Sequence, residues 1–136
     1  MVNERYVIDT HILLWYMDAD RRLSRRAKNI LDHPGNRFLL PAIALAEALF
    51  ILERRPGLYN LTEESLLRQV RADERIANVA LDEVTVARSI DCKTIPEMHD
   101  RQIVATALLA EEAGFDVVIL TRDANITQSG LVACVW

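Results

Sequence analysis

The sequence predicts an α/β fold, with a parallel sheet covered by helices on both faces. Short apolar runs that stop abruptly carry this prediction: Tyr6-Val7-Ile8, Phe38-Leu39-Leu40 and Asp116-Val117-Val118-Ile119-Leu120 read as buried strands. A helical pattern follows each of the first two, and such alternation implies parallel strands joined by crossover helices. No repeat, low-complexity tract or linker interrupts residues 1–136, so one domain is expected.

The composition, 51% hydrophobic and 26% charged, is that of a soluble globular chain. A formal charge of −4 argues against gripping nucleic acid by bulk electrostatics. It leaves open an enzyme whose acids bind cations that then meet phosphate. The uncharged run from Phe38 to Ala46 is too short to span a membrane. Met1-Val2-Asn3-Glu4-Arg5 lacks the basic start and apolar centre of a signal peptide. Cys92 and Cys134 form neither a ligand spacing nor a disulfide framework. A cytoplasmic protein is the expectation.

The first strand stops at Asp9-Thr10, and His11-Ile12-Leu13-Leu14-Trp15 opens a helix. In an open α/β sheet ligands bind just beyond the carboxyl ends of strands, so Asp9 stands where a working carboxylate would; it also fits a plain N-cap. Arg21 to Lys28 holds five basic residues and no acid. It reads either as a solvated helix face or as a landing strip for a nucleic-acid backbone. Ser24 is its N-cap, Ala27, Ile30 and Leu31 its apolar stripe, and His33-Pro34-Gly35-Asn36 the turn that follows.

A second strand, Phe38 to Pro41, leads to a helix from Ala42 to Leu52 in which Glu47 is the only charge. Glu47 lies four residues from both Ile43 and Ile51, on one side of that helix. A carboxylate in apolar surroundings costs several kcal/mol unless paired, hydrated or metal-bound, which favours function over packing. Thr62 caps a helix with Leu66, Leu67 and Val70 on its apolar side, and Ile76 to Leu81 resembles a third strand. Asp82 caps a helix whose apolar side would be Val84, Ala87 and Ile90. After Pro96 a long helix runs to about Ala113, with Asp100 aligned on Ile103, Val104, Ala107 and Leu108. Gly114 stops it, Asp116 to Leu120 is the next strand, and Thr121-Arg122-Asp123 follows as the second hydroxyl-and-acid ending. Leu131 to Val135 is a short last strand.

Asp9 and Asp123 at strand ends, with Glu47 and Asp100 on inward helix faces, can converge at one sheet edge. Four close carboxylates repel and call for a cation, and an all-oxygen set suits Mg2+ or Mn2+. Metal-dependent phosphoryl chemistry is the class this implies. Gly35, Gly57, Gly114 and Gly130 form neither a phosphate loop nor a dinucleotide fingerprint. No Gly-x-Ser-x-Gly elbow occurs, and His11, His33 and His99 have no zinc spacing. Trp15, Tyr16 and Phe50 read as core or partner-facing residues.

Four segments in order, Val7-Ile8-Asp9-Thr10-His11, Pro41 to Glu47, His99 to Ala107 and Leu120 to Asn125, resemble the PIN domain. The likeness is greatest to the single-domain toxins of VapBC toxin–antitoxin modules and covers nearly the whole chain. It implies a three-layer α/β/α fold with a central, mainly parallel sheet, and a Mg2+- or Mn2+-dependent endoribonuclease using water as nucleophile. Asp9, Glu47, Asp100 and Asp123 would match the family's acidic metal site. Thr121, with Thr10 as a second candidate, would match hydroxyls that orient metal ligands or water. The resemblance further implies a homodimer silenced by a cognate antitoxin. Glu97 and Asn125 are candidate outer groups, and Arg101 and Arg122 would meet phosphate or neutralise the acids. The competing readings are a PIN-like domain in RNA processing, an enzyme acting on DNA or phosphomonoesters, and a silent RNA- or protein-binding domain.

Overall fold

The computed structural model describes residues 3–136; Met1 and Val2, which open the segment read above for a leader, lie outside them. The strands are β1 (Glu4–Ile8), β2 (Phe38–Pro41), β3 (Ile76–Val79), β4 (Asp116–Leu120) and β5 (Ala133–Val135). They form one sheet in the order β3-β2-β1-β4-β5, and every pairing is parallel. Adjacent strand residues point to opposite faces, and both Val7 and Ile8 of β1 and both Ile119 and Leu120 of β4 are buried. Helices therefore cover both faces, giving the three-layer α/β/α arrangement. The helices are α1 (Thr10–Met17), α2 (Arg25–Asp32), α3 (Ala42–Arg54), α4 (Glu63–Ala72), α5 (Glu83–Arg88), α6 (Met98–Glu112) and α7 (Ala124–Ser129). A 3₁₀ turn, Ser89–Cys92, continues α5.

Local chemistry sets the boundaries. Ser24 caps α2 by accepting from the Ala27 amide at 3.0 Å. Thr62 and Ser65 form a reciprocal capping box on α4, and Asp82 caps α5 through Thr85. Gly114 and Gly130 end α6 and α7 at φ of 101° and 66°, a region costly for residues with a Cβ. The third strand is shorter than expected, ending at Val79, because β3 is an edge with Ala77 and Asn78 facing solvent.

Burial departs from the sequence pattern at α5. Val84, Val86 and Ile90 are 56%, 50% and 61% exposed, and Thr85 is the helix's buried residue. The stripe expected at Val84, Ala87 and Ile90 is therefore a surface rather than core. The helix is anchored by its polar side: Thr85 on Asp82, and Arg88 paired with Asp91 and Glu112. No helix among the described residues is long and apolar enough to cross a membrane.

The contrast yields a stability prediction. Leu40, fully buried in β2, should lose about 2–5 kcal/mol on substitution by Ala. Val84→Ala should change stability by about 0.5 kcal/mol or less. Urea titrations of the two variants check this, and a large loss in Val84→Ala would place α5's outer face in the core after all.

Candidate active site

Strand order decides where a site can form. From β1 the chain moves one way through β2 to β3, then returns to the other side of β1 as β4 and moves on to β5. The switch point lies between β1 and β4, where a crevice opens at the carboxyl ends of the strands. Ile8 of β1 is in register with Leu120 of β4, and the Asp9 amide donates to the Leu120 carbonyl at 3.2 Å. The next residues on the two strands, Asp9 and Thr121, are thus held side by side.

Asp9 is 7% exposed, and both its oxygens are bonded. Oδ1 accepts from the Thr10 amide at 2.7 Å and Oδ2 from the Thr121 hydroxyl at 2.6 Å. It is therefore both the cap of α1 and a member of the crevice. Burial is the main cause pushing its carboxyl above the ordinary range, against the two hydrogen bonds; the charge of Asp123 adds to the rise and His11 opposes it. Thr10, almost fully buried, donates its hydroxyl to Glu47 Oε1 at 2.7 Å, bridging the start of α1 to the middle of α3.

Glu47 is only partly buried, as are Ile43 and Ile51; the buried stripe of α3 is Ala44, Ala48 and Leu52. The inward face expected for it is thus the flank of the packed stripe, which leaves Glu47 at the crevice edge. Asp100, 5% exposed in the first turn of α6, does continue the buried face with Ile103, Val104 and Ala107. Its Oδ2 is buried with no hydrogen-bond partner in the protein. Desolvation, then the charges of Asp123, Asp9 and Glu97, push its carboxyl up to about 7. Asp123 caps α7, with Oδ1 accepting from the Asn125 amide at 2.8 Å, while its own amide donates to Thr121 Oγ1 at 2.9 Å. One hydroxyl thus orients two acids.

Asp9, Glu47, Asp100 and Asp123 all line one pocket of about 330 Å³, together with Glu97 and Arg122. They stand around it without closing on a single point: among the described residues no group of three or more His, Cys, Asp or Glu is set to hold one ion. Like charges space themselves in this way. Composition offers no signal for two further lining residues, His11 and Trp15. Their two- and six-residue offsets from Asp9 place them at the crevice only once α1 is known to begin at Thr10. Arg101 is not part of the pocket; it donates to the carbonyls of Ile95 and Lys93 and ties down the segment before α6.

A larger groove of about 990 Å³ runs past Tyr16, Met17, Leu23 and Gln69. Most of its charges are paired with neighbours, Asp20 with Arg22, Lys28 with Asp32 and Asp73 with Arg75; Arg21 and Glu74 also line it and form no ion pair among the described residues. The smaller pocket is the one whose acids are crowded and incompletely bonded. Arg22 and Lys28 of the basic stretch are likewise engaged in these pairs.

A model of the PIN domain matches residues 6–129. The fold is similar to that of VapBC2 from Rickettsia felis, solved bound to a DNA fragment from the promoter, with a TM-score of 0.67 over 96% of this chain and 97% of that one, at 14% identity. FitAcB from Neisseria gonorrhoeae gives 0.64 over 95% of both chains at 19% identity. A toxin–antitoxin complex from Klebsiella pneumoniae gives 0.65 over 96% of both at 20%. At such identities the likeness is one of fold. No curated protein matches the chain in sequence.

The elevated carboxyl of Asp100 makes stability pH-dependent. Between the ordinary carboxylate range and about 7 the folded state binds more protons there than the unfolded chain, so stability falls as pH rises through that window. Asp100→Asn removes this fall. Its melting temperature in EDTA, relative to the native sequence, should rise between about pH 5 and about pH 8. Parallel pH profiles for the two proteins would mean that Asp100 titrates like an exposed acid.

Proposed function

The chain belongs to the PIN-domain family, and from that premise we propose that it is a divalent-metal-dependent endoribonuclease, the toxin of a type II toxin–antitoxin pair. One observation carries the reading. Acids from four separate segments, Asp9, Glu47, Asp100 and Asp123, line a single pocket at the sheet's switch point, and Asp100 Oδ2 is buried there without a partner. A packed protein keeps such a group only where something else satisfies it.

The donors fit an oxygen-preferring ion, since five carboxylates line the pocket, one with a buried unbonded oxygen, and among the described residues no cysteine does. Bound among Asp9, Glu47, Asp100 and Asp123, Mg2+ or Mn2+ would activate water and offset charge on the phosphodiester oxygens. The chain's own groups supply orientation. Thr121 fixes Asp9 through its hydroxyl and Asp123 through the Asp123 amide, and Thr10 holds Glu47. Apolar neighbours such as Ile12 and Trp15 limit bulk water on one side, where charge interactions are consequently stronger. A binding-only domain would have no use for the strained charge balance at Asp100.

The toxin assignment draws on the likeness in fold to VapBC2, FitAcB and the Klebsiella pneumoniae toxin–antitoxin complex. A cognate antitoxin as inhibitor, a homodimer and a cytoplasmic site of action complete the proposal.

Purified protein should cut RNA only with Mg2+ or Mn2+, and Asp9→Asn, Glu47→Gln, Asp100→Asn and Asp123→Asn should each abolish cutting. Thr121→Val, which leaves the acids in place but unoriented, should cost about 10–100-fold. RNA, DNA and a phosphomonoester are to be offered separately. RNA left whole while another substrate is consumed would transfer the chemistry to that substrate.

A further inference from the structure

We propose that Arg122, seated on Trp136, is a phosphate contact for a single RNA strand entering the acid pocket along a wall of His11, Trp15 and Trp136. This rests on the nuclease reading above and adds the residues that would seat the strand.

The pocket is a hard place for RNA to approach. Its lining includes Asp9, Glu47, Glu97, Asp100 and Asp123, and the whole chain carries −4. A phosphate next to the reacting one needs a cation that the acids have not already taken. Arg122 is the only arginine or lysine lining the pocket. Among the described residues it forms no ion pair, although acids flank it on the pocket wall. Its guanidinium instead lies 5.6 Å from the centroid of the Trp136 ring. Stacking holds the plane of an arginine while leaving its in-plane N–H donors free, the arrangement that suits bidentate phosphate contact.

The support beneath it is firm. Trp136 meets Trp15 edge-on at 5.7 Å and 62°. Trp15 is 6% exposed and packed in the core, and its ring also meets His11 at 5.7 Å, tilted by 47°. The backbone on either side of Arg122 is fixed as well: the Thr121 amide donates to Val135 at 3.1 Å and the Asp123 amide to Thr121 Oγ1 at 2.9 Å. Arg122 therefore sits between Thr121, which orients two of the acids, and Asp123, one of those two, with its backbone locked and its side chain exposed. The exposed ring of His11 and the half-buried ring of Trp136, with Trp15 as their buried support, stand beside a backbone-reading cation and favour an unpaired strand, whose bases are free to stack, over a duplex. The other basic candidates lack this setting: Arg22 and Lys28 are paired, Arg101 is bonded to carbonyls, and Arg21, Arg25 and Arg26 do not line the pocket.

The chain has two tryptophans, and both belong to this wall, so intrinsic fluorescence reports on it directly. The probe is a short single-stranded RNA of mixed sequence, titrated in EDTA so that binding is read without cleavage. The native sequence should show saturable quenching. Arg122→Ala should weaken binding about tenfold, the loss of a charge-assisted bond. It should also lower the slope of log affinity against log salt by about 0.7, the signature of one lost single-strand phosphate contact, with no change in melting temperature. Arg122→Lys should restore the slope but not the full affinity. Trp136→Leu should weaken binding where Trp136→Phe does not.

Native affinity and salt slope in Arg122→Ala, with metal-dependent cleavage of RNA intact, would overturn the Arg122 contact and leave the nuclease standing. A native protein that neither binds nor cuts RNA would overturn both.

Discussion

The pairing of β1 with β4 is the constraint on which the site depends. Ile8 and Leu120 are in register, so the first residues beyond the two strands emerge together, although 112 positions separate Asp9 from Thr121. Their 2.6 Å hydrogen bond follows from the sheet and needs no special loop. Because the strand order reverses at this pair, α1 and α7 leave in different directions and no connection covers the gap. A site elsewhere on the sheet would have a crossover packed above it.

Around that pair the structure holds four acids on one pocket. It does so with donors. Asp9 takes a backbone amide and a hydroxyl, Glu47 takes a hydroxyl, and Asp123 takes a backbone amide. Asp9 and Asp123 also sit at helix N-termini and Asp100 in a first turn, where the helix dipole favours negative charge. Asp100 has the weakest compensation, one oxygen being buried and unbonded, and its carboxyl is correspondingly raised. The surplus is localised on one side chain, which makes the pocket a receiver for positive charge.

The surroundings divide by how firmly they are tied. Arg101, Arg75 and Arg88 are spent on carbonyls and carboxylates that brace loops and helices. Arg122 is braced only by an aromatic ring and faces the pocket. The outer face of α5, with Val84, Val86 and Ile90 exposed, shows the opposite economy: a helix held by its polar residues presents its apolar ones outward.

The sequence by itself determined the elements and the identity of the acids. Continuous apolar runs mark β1, β2 and β4, which are covered on both faces, and a 3.6-residue period marks α3 and α6; Ser24, Thr62 and Asp82 announce their helices because capping is local chemistry. Asp9, Glu47, Asp100 and Asp123 stood out because a charge in an apolar run, or at a strand's end, is costly to keep. What lies beyond one element's reach was decided by tertiary structure. Apolar content on α5 could not reveal that nothing packs on Val84 and Ile90, since exposure depends on which neighbours arrive. Glu47 fell on the flank of α3 rather than its buried stripe because the angle at which α3 packs, not its periodicity, selects the covered side. His11, Trp15 and Trp136 became one wall beside Arg122 only when β4 and β5 brought the end of the chain against α1, a meeting of residues 121 positions apart that no local pattern encodes.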